Sequence, residues 1–319
     1  MEILYIKYII YKGGLNMDIY CQFRNFDTSY NYIFQNMQLK LGKISDSNDP
    51  VEIKTLNATN EEFNLIETDN YNLELNVYLN SILKMTCFVK GDYDFDAASE
   101  VLEAEQNNRP PFFKPKMWAL YGSNKSSDNA GVCIVFNNNI ISKFNQLSRE
   151  YNIKYKSITY GNFLDNMIAG SFCYNTDVII PNHASDIDIK KTVQNYLMEN
   201  YKTNYMSKDK DWESEDEYRL LCWNKISTPS NNSTYLDFDP EDVEAVILGY
   251  NIARNAEYKD FIQNLFNLGI PVYKLGLLQN LPSIKLITEL DDDELETSRF
   301  ELGHEELQEE RRRLLGEED

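Results

Sequence analysis

The chain has 319 residues, of which 31 are Lys or Arg and 51 are Asp or Glu, giving a net charge of -20. That balance disfavours non-specific nucleic-acid binding, which needs a basic surface, and 22 Tyr with 13 % aromatic residues exclude a disordered body. The five Cys are scattered, with no CxxC pair, so a zinc ribbon is disfavoured and reduced thiols in a cytoplasmic protein are the economical reading.

In chain order, the apolar run Ile3 to Tyr11 falls far short of the ~20 residues of a membrane span, and no small-residue cleavage site follows cleanly. Residues 12–17 (Lys-Gly-Gly-Leu-Asn-Met) back-translate into a purine-rich ribosome-binding string ahead of an ATG. Met17 is therefore the expected start, with residues 1–16 a translated leader. Residues 17–24 read as a strand. Tyr30, Ile33, Phe34 and Met37 recur at helical spacing. Leu39 to Leu41 is a short strand before the turn-rich stretch 45–50. Residues 60–80 read as a helix and Ile82 to Val89 as a buried strand. The polar stretch 91–115 reads as a long flexible loop.

Residues 116–122 form a helical turn, and Gly131 to Phe136 a buried strand. Ile140 to Tyr151 reads as a helix and Asn152 to Tyr160 as a strand. Ile189 to Tyr205 is an amphipathic helix. Strands at Glu217 to Trp223, Val243 to Leu248 and Ile270 to Leu275 follow, with a helix over residues 255–268 before the last. Strands mixed with helices, without regular β-α alternation, point to the α+β class. The expected architecture is a single domain over residues 17–288, with a mixed or antiparallel sheet and flanking helices. Residues 289–319 hold 14 acidic and 4 basic residues and no Tyr, Asn or Lys. This segment reads as an acidic, helix-compatible tail or appended segment outside the fold.

Residues 210–223 carry the densest functional signal. Period-2 alternation puts Glu215, Glu217 and Arg219 on one face, and Tyr218, Leu220 and Cys222 on the other. Charges placed this way make an ion pair, hold a ligand or do chemistry; an exposed strand in a Glu-rich chain is the plain alternative. No GxGxxG, Walker, HExxH or GxSxG motif occurs. With two His in the chain, multi-His metal chemistry is disfavoured, no metal is expected, and His183 reads as a surface residue. Asp49 and Glu52 lie only three residues apart, so a turn competes with a metal-dependent nuclease site there.

Several landmarks occur in order: Phe23-Arg24, Ser47-Asn48-Asp49-Pro50-Val51-Glu52, Thr86-Cys87-Phe88, residues 117–121 (Met-Trp-Ala-Leu-Tyr), residues 131–136 (Gly-Val-Cys-Ile-Val-Phe), and Trp212 with residues 215–219 (Glu-Asp-Glu-Tyr-Arg). Together they resemble the bacterial family called domain of unknown function 2971, over roughly residues 18–275. The chain departs from it at Val89, where relatives usually carry Ser. The layout is also similar, by analogy of fold, to ADP-ribosyltransferases, in which a basic residue on an early strand and a carboxylate on a late strand clasp NAD.

That likeness implies an NAD-consuming toxin-like or phage-defence effector, with NAD as substrate. Glu217 would stabilise oxocarbenium character and Glu215 would assist it. Arg24 would pair with the pyrophosphate, with Arg219 a further anion contact, Trp118 or Tyr121 would stack on a ring, and the strand ending at Cys87 and Phe88 would complete the cofactor contacts. The expected partners are a small nucleotide and a macromolecular target, with no membrane. An aromatic-rich surface is compatible with self-association. Two readings of other classes stand beside this one. One is a non-enzymatic binding or sensing module whose charged strand is a structural ion network. The other is the metal-dependent nuclease.

Overall fold

The computed structural model describes residues 17–46, 53–59, 69–93, 95, 101–103, 110–122, 130–162, 175–181, 183–225, 234–251, 256–278, 281–290 and 299–300. The readings placed on residues 1–16, on Asp49 and Glu52, and on residues 291–298 and 301–319 of the tail lie outside this set.

The strands in chain order begin with β1 (Met17–Arg24), β2 (Gln38–Lys43) and β3 (Thr55–Thr59). Helix α1 (Asp69–Ile82) leads into β4 (Leu83–Tyr93), then β5 (Val101–Glu103) and α2 (Pro115–Tyr121). β6 (Val132–Phe136), α3 (Asn139–Gln146), β7 (Tyr151–Ser157), β8 (Thr159–Gly161) and β9 (Asn175–Ile179) follow. Helix α4 (Asp186–Tyr205) precedes β10 (Ser207–Asp209), β11 (Glu217–Asn224), β12 (Thr234–Asp237) and β13 (Val243–Leu248). The described set closes with α5 (Ala256–Asn267), β14 (Val272–Leu278), β15 (Leu281–Leu286) and β16 (Arg299–Phe300). The class is α+β. No helix among the described residues is long and apolar enough to cross a membrane.

These elements divide into two compact units whose segments interleave along the chain. The first takes the described residues within 1–35, 91–138 and 239–319. Its strands run β1-β6-β13-β14-β15-β5, with β16 beside β14. β6 is buried at every position, which explains its unbroken apolar run: both of its faces are covered. β13 and β14 are parallel and joined through α5, and α5 buries Tyr258, Phe261, Ile262 and Leu265. Gly269, at φ 73, ends that helix in the left-handed conformation glycine tolerates.

The second unit takes the described residues within 36–90 and 139–238. Its main sheet runs β12-β2-β4-β11-β7, with every neighbouring pair antiparallel. Leu83 of β4 with Leu221 and Trp223 of β11 packs with Leu75 and Leu79 of α1 and Val193, Leu197 and Tyr205 of α4. Helix α4 starts at a capping box in which Ser185 and Asp188 satisfy each other's backbone N–H groups. Two parallel pairs, β3–β9 and β8–β10, complete the unit. Among the described residues, the other edge of β3 is met by side chains of α1. Asn72 and Asn76 of α1 accept from the N–H groups of Ala58 and Leu56 at 2.7 and 2.9 Å. Asn76 also donates to the Leu56 carbonyl at 2.9 Å.

Several sequence expectations shift. The helix read over residues 140–151 ends at Gln146, gives one tight turn at Leu147–Arg149 and becomes β7 at Tyr151. The stretch 91–115 is not a loop throughout. β4 continues through Tyr93, and Pro111–Phe113 forms a buried turn in which the Phe112 ring meets Tyr93 edge-on at 5.0 Å. The apolar spacing over Tyr30 to Met37 belongs largely to a π-helical turn, Ser29–Phe34.

Candidate functional site

β11 is flanked by β4 and β7, so both of its backbone edges are paired and its side chains alternate between two faces. Glu217, Arg219, Leu221 and Trp223 share one face; Tyr218, Leu220 and Cys222 share the other. Cys87 of β4 lies directly across from Arg219 and therefore joins the charged face. Arg219 is completely buried. Its Nε donates to Glu217 Oε1 at 2.6 Å and its Nη2 to Glu217 Oε2 at 3.0 Å, a two-pronged pair. Its Nη1 donates to the carbonyl of Tyr205, the last residue of α4, at 2.8 Å.

Glu215 reaches the same cluster by another route. It ends the tight helical turn Lys210–Glu215 instead of extending β11. Asp216, in the left-handed conformation at φ 48, reverses the chain between them. Strand alternation therefore gives the right neighbour for the wrong reason. What brings the two carboxylates together is Lys208 of β10, whose Nζ lies 2.9 Å from Glu215 Oε2 and 3.0 Å from Glu217 Oε2. The face of Trp212 covers that ammonium, with 5.2 Å from Nζ to the ring centroid. Tyr160 of β8 accepts the Glu217 backbone N–H on its hydroxyl at 2.8 Å.

The four charged side chains are all buried and sum to zero. Burial pushes the Glu217 carboxyl upward, but Arg219, then Lys208, and a hydrogen bond from the Cys87 thiol outweigh it and hold the group down at about 2. Glu217 is thus ionised at any ordinary pH. It is also saturated. A carboxylate offers about four acceptor positions, and Arg219 Nε, Arg219 Nη2, Lys208 Nζ and the Cys87 thiol fill them. Burial raises the Tyr160 phenol well above its usual range, so it stays neutral.

Glu215, Glu217, Arg219 and Cys87 therefore meet in one cluster of the second unit. Phe88, adjacent to Cys87 in sequence, does not join it. Its side chain points to the opposite face, across from Tyr218, and is buried. Arg24, Trp118 and Tyr121 belong to the first unit. Arg24 ends β1 opposite Val132, and Tyr121 ends α2 half-buried. Trp118 is not a stacking platform: it is 1 % exposed, donates its indole N–H to the Phe112 carbonyl at 2.7 Å and packs edge-on against Phe23. His183 is exposed, in the loop ahead of the Ser185 cap. Cys21, Cys133 and Cys222 are free thiols buried in strands.

Lys208 and Tyr160 are the members that sequence reading missed. Tyr160 left no signal, but Lys208 left one. Two buried carboxylates beside one guanidinium leave a net negative charge, and a second cation has to come from somewhere.

Residues 117–220, about a third of the chain, match the model of a family described as Protein of unknown function (DUF2971). No curated protein and no solved structure matches the chain.

Proposed function

We propose that this chain, whose residues 117–220 match the DUF2971 model, acts as a binding or sensing module, in which the charged strand β11 is a structural ion network. The observation that supports this reading is the saturation of Glu217, whose acceptor positions are taken up inside the protein. A carboxylate held this way braces; it has no position left for a substrate hydroxyl. What it braces is the turn Lys210–Glu215, clasped onto β11 at its base by Lys208. Above that base, Asp211, Glu213 and Asp216 are exposed and Trp212 is half-exposed. Glu217→Gln leaves Arg219 and Lys208 short of a partner, so unfolding in denaturant is expected to cost ~3 kcal/mol or more less than in the wild type. Unchanged melting together with lost biological activity overturns the reading.

A second reading keeps the NAD-consuming, ADP-ribosyltransferase-type enzyme of a toxin or defence system. It is favoured by the ionised state of Glu217, since a carboxylate that faces an oxocarbenium must be charged. In that reading Glu217 is the central carboxylate and Glu215 assists it. Nicotinamide release from NAD, compared between wild type and Glu217→Gln, tests it; background release from both removes it.

A further inference from the structure

Lys208 has surroundings that proteins otherwise build for a foreign cation. Its ammonium faces one oxygen of Glu215 at 2.9 Å and one of Glu217 at 3.0 Å, and the Trp212 ring covers it at 5.2 Å. Two carboxylate oxygens and an aromatic face satisfy a primary ammonium by charge-assisted hydrogen bonds and cation–π attraction together. The cage has a fixed rear wall, because Arg219 grips both oxygens of Glu217 and is itself tied to the α4 end through the Tyr205 carbonyl. Its occupant is less firmly built in. Lys208 sits at the centre of β10, a three-residue strand that pairs with the equally short β8. A strand pair that short has little stability of its own. The rear wall lies on a strand paired along both edges, whereas the occupant hangs from the smaller element.

We propose that Trp212, Glu215 and Glu217 form a binding site for a primary alkylammonium, of which Lys208 is the resident, self-supplied ligand. In this closed state the module blocks its own site. An external alkylammonium enters when the Lys208 ammonium leaves the two carboxylates. Primary amines are favoured over quaternary ones because the carboxylates need N–H donors on two sides, which a tetraalkylated nitrogen lacks. The inference deepens the binding-module reading and rests on it, yet its test is separate: Glu217 remains intact throughout.

The test uses Lys208→Ala in the full chain. That change removes three methylene carbons and the ammonium, the size of n-propylammonium. Thermal melting is followed while n-propylammonium, tetramethylammonium, n-propanol or sodium chloride is added. The expected result is a lowered melting temperature that n-propylammonium restores in a saturable manner, by about half of the loss or more at millimolar concentration. The other three additives have no such effect. Adding Trp212→Leu weakens the n-propylammonium response several-fold, and Lys208→Met, whose stem fills the cage, gives no response. If the alanine variant is unfolded on its own, folding induced by n-propylammonium alone supports the site, and failure to fold with every additive counts against it. Equal rescue by tetramethylammonium or by salt, or no rescue by the primary amine, overturns the proposal.

Discussion

Two buried lysines of the second unit, Lys208 and Lys84, have opposite surroundings. Lys208 meets two carboxylates and an indole. Lys84 of β4 is fully buried on the other face of the main sheet, between Lys43 of β2 and Cys222 of β11 in the cross-strand row. Its Nζ donates to the Ser81 carbonyl. Burial, followed by the neighbouring charge of Lys43, brings the Lys84 ammonium down to about 8. A buried charge can thus be held in two ways in one fold: balanced by opposite charge, or left to lose its proton more easily. The balanced site is a candidate for function, and the unbalanced one is a standing cost to stability.

The largest expected effect that separates the two sites is at Lys208. Lys208→Met leaves the buried Glu215 without its cation, and chemical denaturation should show a loss of ~3 kcal/mol or more. Lys84→Met should do the reverse at neutral pH, leaving stability unchanged or raised, because it removes a desolvated charge of matching length. A marked loss there would mean that the hydrogen bond to Ser81 outweighs the burial.

The pH dependence sharpens the contrast. Glu217 is held near 2 against an ordinary 4.5, so its contribution is complete above 4.5 and fades as the pH falls toward 2. Glu217→Gln should lose that acid limb. Lys84 is lowered from 10.5 to about 8, so the unfolded chain binds more protons between those values. Stability should therefore rise from pH 8 toward 10.5, and Lys84→Met should flatten the rise in urea titrations at fixed pH. The smallest effect concerns the bend that feeds the balanced site. Asp216→Ala should cost about 1 kcal/mol, because Asp216 sits at φ 48, whereas Asp216→Gly should be close to neutral.

The strand framework was legible because burial and alternation leave a trace in the sequence. The apolar run of β6 and the period-2 split of β11 both placed side chains on the faces they occupy. What was hidden depends on contacts between distant segments. β3 and β9 are short and polar, and β3 is completed by Asn72 and Asn76 of α1, which no local pattern announces. Glu215 looked like a strand residue because alternation cannot register a left-handed residue at 216. Trp118 looked like a platform because spacing cannot tell a covered ring from an open one. Lys208 was hidden because its partners lie beyond a turn; only the uneven charge count hinted at it.

Lys208, Glu215, Glu217 and Arg219 stand or fall as one neutral unit. The direct measurement is a double-mutant cycle in denaturant with Lys208→Met and Glu215→Gln. Removing one cation and one anion together keeps the remaining Glu217–Arg219 pair in balance, so the double variant should be more stable than Lys208→Met alone. If the two losses simply add, the four side chains are not a balanced unit and the account is wrong.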